Sequence, residues 1–144
     1  MTTPPDGFNP HFRKSPVTDA WEPLFSKVED HAVRIGLFVL PAHCNARGLL
    51  HGGVIAALAD NAMGLSLGQS LRTQGLSSDV SGVVTTSLSL DYIAPAKPGQ
   101  WVEIAPRVLK AARSSGLVDA LITGDGALAA RGHAAFHIGR AKRQ

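Results

Sequence analysis

A single cysteine, Cys44, stands in 144 residues. The chain can therefore close no internal disulfide, and it carries no multi-cysteine spacing of the kind that holds a structural metal. Aromatic residues make up only 6% of it and charged residues 17%, for a formal charge of +3. The basic surplus is mild and gathers at Arg140, Lys142 and Arg143 without interleaved aromatics, so it reads as a solvated tail and not a nucleic-acid surface. No apolar run approaches the roughly 18 residues of a membrane span, and the start Met1-Thr2-Thr3-Pro4-Pro5-Asp6-Gly7 has neither the charged nor the apolar region of a secretory signal. A cytoplasmic protein without membrane association is expected. Phosphate loop, dinucleotide fingerprint, zinc spacing and nucleophilic serine elbow are all absent, and no metal or redox cofactor is expected.

What is present amounts to one domain: 144 residues, 44% hydrophobic, can bury a single substantial core. Residues 1–27 read as an N-terminal arm, proline-rich at first, with a short helix opening near Trp21 that Thr18 or Asp19 would cap. Trp21, Leu24 and Phe25 read as staples of that arm to the core. Residues 28–139 form the domain proper and residues 140–144 a basic tail. One strand is expected over Val28–Leu40, ended by Pro41. Four more are expected over about Gly82–Tyr92, Trp101–Ala112, Leu117–Thr123 and Leu128–Ile138, with Asp125-Gly126 as a hairpin turn. Cys44 beside His43 does not read as a reactive pair, because neighbours on an extended loop point apart.

The chain is organised around His51-Gly52-Gly53 and the small, apolar run that follows it to Gly64. The run is too long for a strand and lacks alternation, so it predicts a helix apolar nearly all round, continuing to Gly75 as its closing glycine. On such a helix Gly53, Ala56, Ala57, Asp60, Met63 and Gly64 share a face, and Asp60 is its one carboxylate. The first amides of the helix lack intrahelical acceptors and the glycines leave them unshielded, which suits a developing oxyanion. Gly52 and Asp60 are eight residues apart, about 12 Å along the axis, too far for one carbonyl group to touch both. If they cooperate, a dimer must bring the helix N-terminus of one subunit to the Asp60 of the other. On the residues alone, Asn45 reads as a turn-former and His51 as a helix cap.

Asn45-x-x-Gly48-x-x-His51-Gly52-Gly53, with Asp60 following, resembles the hotdog-fold acyl-CoA thioesterases of the phenylacetate-pathway, PaaI-like type. The likeness extends from about Leu37 to Ile138 and includes Tyr92-Ile93-Ala94-Pro95-Ala96 in place of the family's aromatic-x-x-Pro-Ala segment. It implies an α+β fold, an antiparallel sheet of about five strands wrapped around one long central helix. It further implies that the amide of Gly52 polarises a thioester carbonyl and that Asp60, from the partner subunit, attacks it or activates water. Asn45 would support the loop beside the thioester, His51 would orient the leaving group, and Thr85 would stand where relatives place a helpful serine. Arg113, Ser114 and Ser115 would meet the nucleotide of the CoA substrate. The expected partners are the acyl-CoA and further copies of the chain, a homodimer as the minimal active unit and a homotetramer beyond it. A hotdog dehydratase or hydratase, and a non-catalytic acyl-CoA-binding module, are the alternative readings.

Overall fold

The computed structural model describes residues 3–142. One long helix and one antiparallel sheet account for most of them. The sheet holds seven strands, β1 (Asn9–Pro10), β2 (Phe25–Val28), β3 (Val33–Phe38), β4 (Val80–Tyr92), β5 (Trp101–Ala111), β6 (Ser115–Gly124) and β7 (Ala127–Arg140). Their order across the sheet is β1-β2-β3-β5-β6-β7-β4. Two more strands are present than the five expected. The stretch read as one strand from Val28 is a hairpin: Val28 pairs with Val33, and the four residues between them turn the chain. The arm adds the two-residue β1 against β2. At the other end Arg140 is not tail but the last residue of β7, opposite Val80, and ion-paired with Asp79. Arg143 lies outside the described residues.

The arm's helix α1 spans Pro16–Asp19 and begins after Ser15. Proline at its first position is tolerated there because that N–H has no acceptor in any case. The expected start near Trp21 is thus displaced towards the N-terminus. Leu24 is fully buried and Trp21 packs on the core, so the stapling role holds for these two, while Phe25 is half-buried on β2.

Helix α2 runs from Gly52 to Thr73, about 33 Å at about 1.5 Å per residue. Its C-terminus closes through two backbone bonds, Gly75 N–H to Arg72 O and Leu76 N–H to Leu71 O, with Gly75 at φ +72°. That left-handed residue is why glycine stands there. Leu58, Met63, Leu67 and Leu71 face the sheet and are fully buried among Ile35, Leu37, Ile104 and Ile122. Two serines tie the same flank to the neighbouring chain. Ser66 Oγ accepts from Val33 N–H and donates to Val33 O, and Ser70 Oγ bonds His31 Nδ1.

The opposite flank is open. Asp60, Asn61, Gly64, Leu65 and Gly68 are only partly covered, so the helix is not enclosed on nearly all sides within one chain. Met63, expected beside Asp60, is 0% exposed and belongs to the packed flank. Asp125 (φ 47°) and Gly126 (φ 82°) form the turn between β6 and β7 as expected, both in the left-handed region that a two-residue hairpin requires.

Candidate active site

Helix α2 is capped at its start by the side chain of His51, whose Nδ1 accepts the Gly53 N–H at 2.8 Å. The ring lies against Gly53 so closely that a Cβ there would sit 3.0 Å from it, so glycine is what lets the histidine fold back. With Nδ1 accepting, the ring proton sits on Nε2. The Val54 and Ile55 amides both bond the His51 carbonyl, at 3.0 and 3.1 Å. The Gly52 amide, in contrast, has no acceptor among the described residues. The helix thus presents one unoccupied amide at its positive end, where an oxyanion would be stabilised.

Tyr92, at the end of β4, closes over the same point. Its hydroxyl donates to the Gly52 carbonyl at 2.6 Å, and a Cβ on Gly52 would meet its ring at 3.1 Å. Partial burial raises the pKa of this phenol, which keeps it a donor. Asn45 holds the preceding loop: its Oδ1 accepts from Arg47 N–H at 2.9 Å and from Leu49 N–H at 3.2 Å. Its visible work is that of a turn-former, and it lines with Gly52 and Tyr92 a cavity of about 320 Å³. His43 is excluded from chemistry by its bonds. It is fully buried, its Nδ1 accepts from Leu40 N–H, and its Nε2 donates to Trp21 O at 2.8 Å. Cys44 therefore has no base in its neighbour, and its Sγ contacts the Leu40 carbonyl at 3.4 Å.

Two turns further along α2, Thr85 donates to Asp60 Oδ1 at 2.6 Å. Alternation alone would not select Thr85. Leu88, Leu90 and Tyr92 pair with Ala134, Gly132 and Ala130 on the helix side of β7, and counting back by twos from them reaches Thr86. A β-bulge between Thr85 and Ser87 shifts the strand by one residue. It aims Thr85 at the carboxylate and sends the Thr86 hydroxyl to Ala135 O at 3.1 Å. Asp60 Oδ2 has no partner among the described residues. Asp60 and Thr85 line a groove of about 490 Å³ between α2, β4 and the arm.

The Asp60–Thr85 pair and the Gly52–Asn45 pair line separate cavities of one chain. Arg113 lines a third, of about 350 Å³, together with Arg140 and Asp79. The Arg140 guanidinium holds the Asp79 carboxyl below its ordinary pKa, so Arg140 is committed, whereas Arg113 has no carboxylate partner among the described residues. Ser114 and Ser115 do not line this cavity. The Ser114 carbonyl accepts from Ile138 N–H of β7, and the Ser115 carbonyl from Ala112 N–H across the turn. No cluster of potential metal ligands exists among the described residues, and no helix among them is long and apolar enough to cross a membrane.

Residues 47–128 match the family model of the thioesterase superfamily. A Pseudomonas aeruginosa protein named as an inferred esterase is 30% identical over 139 residues, 96% of this chain and 99% of that one. The chain belongs to the thioesterase superfamily. As a member it is a thioester hydrolase with the hotdog fold. Human acyl-coenzyme A thioesterase 13 is 34% identical over 99 residues, 67% of this chain and 66% of that protein. Among solved structures, zebrafish thioesterase superfamily member 2 superposes with a TM-score of 0.71 at 27% identity, covering 81% of each chain. The PaaI protein of the Escherichia coli phenylacetic acid degradation operon shares the fold at a TM-score of 0.69 and 16% identity, over 83% of this chain and 80% of that one.

Three members of the site environment carry no local signal of their role in the sequence. Tyr92 was legible only as part of a family segment, not as the clamp on Gly52. His11, whose Nε2 bonds Asn61 Oδ1 at 3.0 Å, and Arg13, which lines the Asp60 groove, belong to an arm fifty residues away. No local pattern announces such a contact.

Proposed function

We propose that this thioesterase hydrolyses an acyl-CoA, with an aryl-acyl or medium-chain acyl group, to the acid and CoA in a site shared by two subunits. The observation that carries the reading is the division of one helix. The unoccupied Gly52 amide stands at one place, the Asp60–Thr85 pair about 12 Å further along, and both flank the unpaired edge of β4.

β4 supports the way the halves meet. It is a 13-residue edge strand without proline, and Leu88 is 39% exposed although it lies on the helix side. A second β4 running antiparallel would cover that edge through a self-complementary interface. Thr85 marks the carboxylate half-site on β4 and Tyr92 the amide half-site. A two-fold axis at Ser89, midway between them once the supernumerary bulge residue is discounted, sets Thr85 opposite the partner's Tyr92 and so brings Asp60 to the partner's Gly52.

In that arrangement the Gly52 amide holds the thioester oxygen as charge develops on it. Water attacks the carbonyl carbon and gives a proton to Asp60, whose Oδ1 is fixed by Thr85 and whose Oδ2 is available. The C–S bond then breaks, and the departing thiolate takes up a proton to leave as CoA. His51 Nε2–H and Asn45 lie on the leaving-group side. Arg113, with Ser114 and Ser115 of its turn, contacts the CoA nucleotide, and Arg113 is the cation of that turn with a charge to spare. Pairs of dimers assemble through the outer sheet face, where Leu117 and Leu121 are exposed on one strand. A cytoplasmic location suits a CoA substrate.

The test is release of CoA thiol from short to long acyl-CoA esters plus phenylacetyl and hydroxybenzoyl esters, followed by subunit mixing. Asp60→Asn and His51→Ala proteins, each impaired alone, should regain activity when mixed, because the mixed dimer holds one intact site. Release by wild type without rescue on mixing rejects the shared site. Saturable binding without release favours a binding module, and a hydrated product favours a hydratase.

A further inference from the structure

Eight arginines lie among the described residues, and their partners divide them sharply. Arg34, Arg107, Arg131 and Arg140 are each paired with a carboxylate. Arg13, Arg47, Arg72 and Arg113 make no ion pair among the described residues, and every one of these four lines a cavity beside helix α2 or the β5–β6 turn. Two of the four, Arg13 and Arg72, share the Asp60 groove. Arg72 offers its Nε and Nη2 only to the neutral amide of Gln69, at 3.3 and 3.0 Å. Arg13 has no hydrogen bond among the described residues. The groove has a single carboxylate, that of Asp60, and Thr85 already holds one of its oxygens.

Arg13 is not on a loose arm at this point. β1 pairs with β2 just before it, and His11 N–H bonds Leu24 O at 2.9 Å. The His11 ring is 1% exposed and bonds Asn61 Oδ1, so the arm is fastened to the helix residue adjacent to Asp60. With Nε2 donating to Asn61, Nδ1 is left without a partner among the described residues. A buried imidazole with an orphan nitrogen is a costly anchor, and what it secures two residues on is a guanidinium at the groove.

We infer that Arg13 and Arg72 form a two-arginine clamp for an anionic group of the thioester substrate, held in the Asp60 groove. The inference rests on the acyl-CoA reading and deepens it. Two planar guanidinium forks are suited to a carboxylate or a phosphate and are wasted on a hydrocarbon chain. The anion is either a carboxylate at the far end of the acyl group or a phosphate of the CoA, and the substrate panel distinguishes them.

The measurement is kcat/KM for wild type, Arg13→Gln, Arg72→Gln and Arg13→Lys on three esters. These are octanoyl-CoA, the eight-carbon acyl-CoA with a terminal carboxylate, and octanoyl-pantetheine, which lacks the phosphates. Each glutamine variant should lose about tenfold to hundredfold, the range for a hydrogen bond to a charged group, and Arg13→Lys should lose less. A loss confined to the carboxylate-ended ester places the acyl terminus in the clamp. A loss on both CoA esters but not on the pantetheine ester places a phosphate there. Equal rates for wild type and variants on all three overturn the clamp while leaving the thioesterase reading intact. If wild type turns over none of them, that reading fails, and titration of the same esters decides the clamp by affinity: unchanged Kd in both glutamine variants overturns it.

Discussion

The two edges of the sheet are built to opposite specifications. β1 is two residues long, contains Pro10, and is followed at once by an arm that crosses to the helix. β4 is thirteen residues long, has no proline, and leaves Val84 and Tyr92 more than half exposed at 60% and 54%. A sheet edge is normally blunted against association, and β1 is. β4 is not, and both half-sites of the candidate active site lie along it. The difference teaches that one end of this sheet is finished by its own chain while the other is left open, and that the candidate half-sites lie at the open end.

The largest effect should come from the chemistry at that end. Asp60→Asn is expected to lower kcat by about a hundredfold to ten-thousandfold, the usual contribution of a positioned base. Thermal stability and substrate affinity should be nearly unchanged; rates within threefold of wild type would remove Asp60 from the mechanism. Leu88→Glu breaks the edge itself by bringing two carboxylates together near the two-fold axis. Sedimentation should show monomers at concentrations where wild type is dimeric, with activity reduced at least about tenfold, whereas Pro10→Ala at the opposite edge should alter neither. An active Leu88→Glu monomer would refute the shared site. The packed flank of α2 supplies the control that costs stability without touching assembly. Leu58→Ala should lower unfolding free energy by about 3 kcal/mol, read by denaturant titration, with the dimer retained.

The smallest effect concerns the finished end and is a matter of pH. Burial lowers the His11 pKa below its ordinary value of 6.5, against the opposing influences of the Asn61 bond and Glu22. The unfolded chain therefore binds a proton at a higher pH than the folded one. Stability from this group is full above about pH 6.5 and is lost as pH falls below it, towards the folded pKa. His11→Gln should flatten that part of the stability profile and loosen the arm, measured as faster amide exchange at residues 9–13. A slope unchanged by the substitution would show that other groups set it.

Much of this could be read from the sequence where the determinants are local. The helix, its glycine stop at Gly75, the Asp125-Gly126 turn and the glycine-rich start each depend on residues within a few positions of one another. Thr85 follows from family likeness alone, and the bulge that turns it towards Asp60 is a property of two strands, invisible in either. The hairpin within Val28–Leu40 leaves no mark in the sequence, because Glu29, Asp30, His31 and Ala32 include no glycine or proline to signal a turn. Met63 lies on the packed flank and not beside Asp60 because the stretch is apolar on all sides, and periodicity does not say which side faces the sheet. The attachment of His11 to Asn61 spans fifty residues and leaves no periodic trace.

The bulge at Thr86 acts as a phase shifter. Ahead of it the residues in step with the helix are Val83 and Thr85; behind it they are Leu88, Leu90 and Tyr92. A strand of strict alternation could keep only one of these sets in step, either the hydroxyl that holds the carboxylate or the side chain that reaches the Gly52 carbonyl. One supernumerary residue lets a single strand serve both halves of the site. Deleting Thr86 would therefore leave composition and length almost unaltered while putting the Asp60 and Gly52 ends of the candidate site out of step with each other.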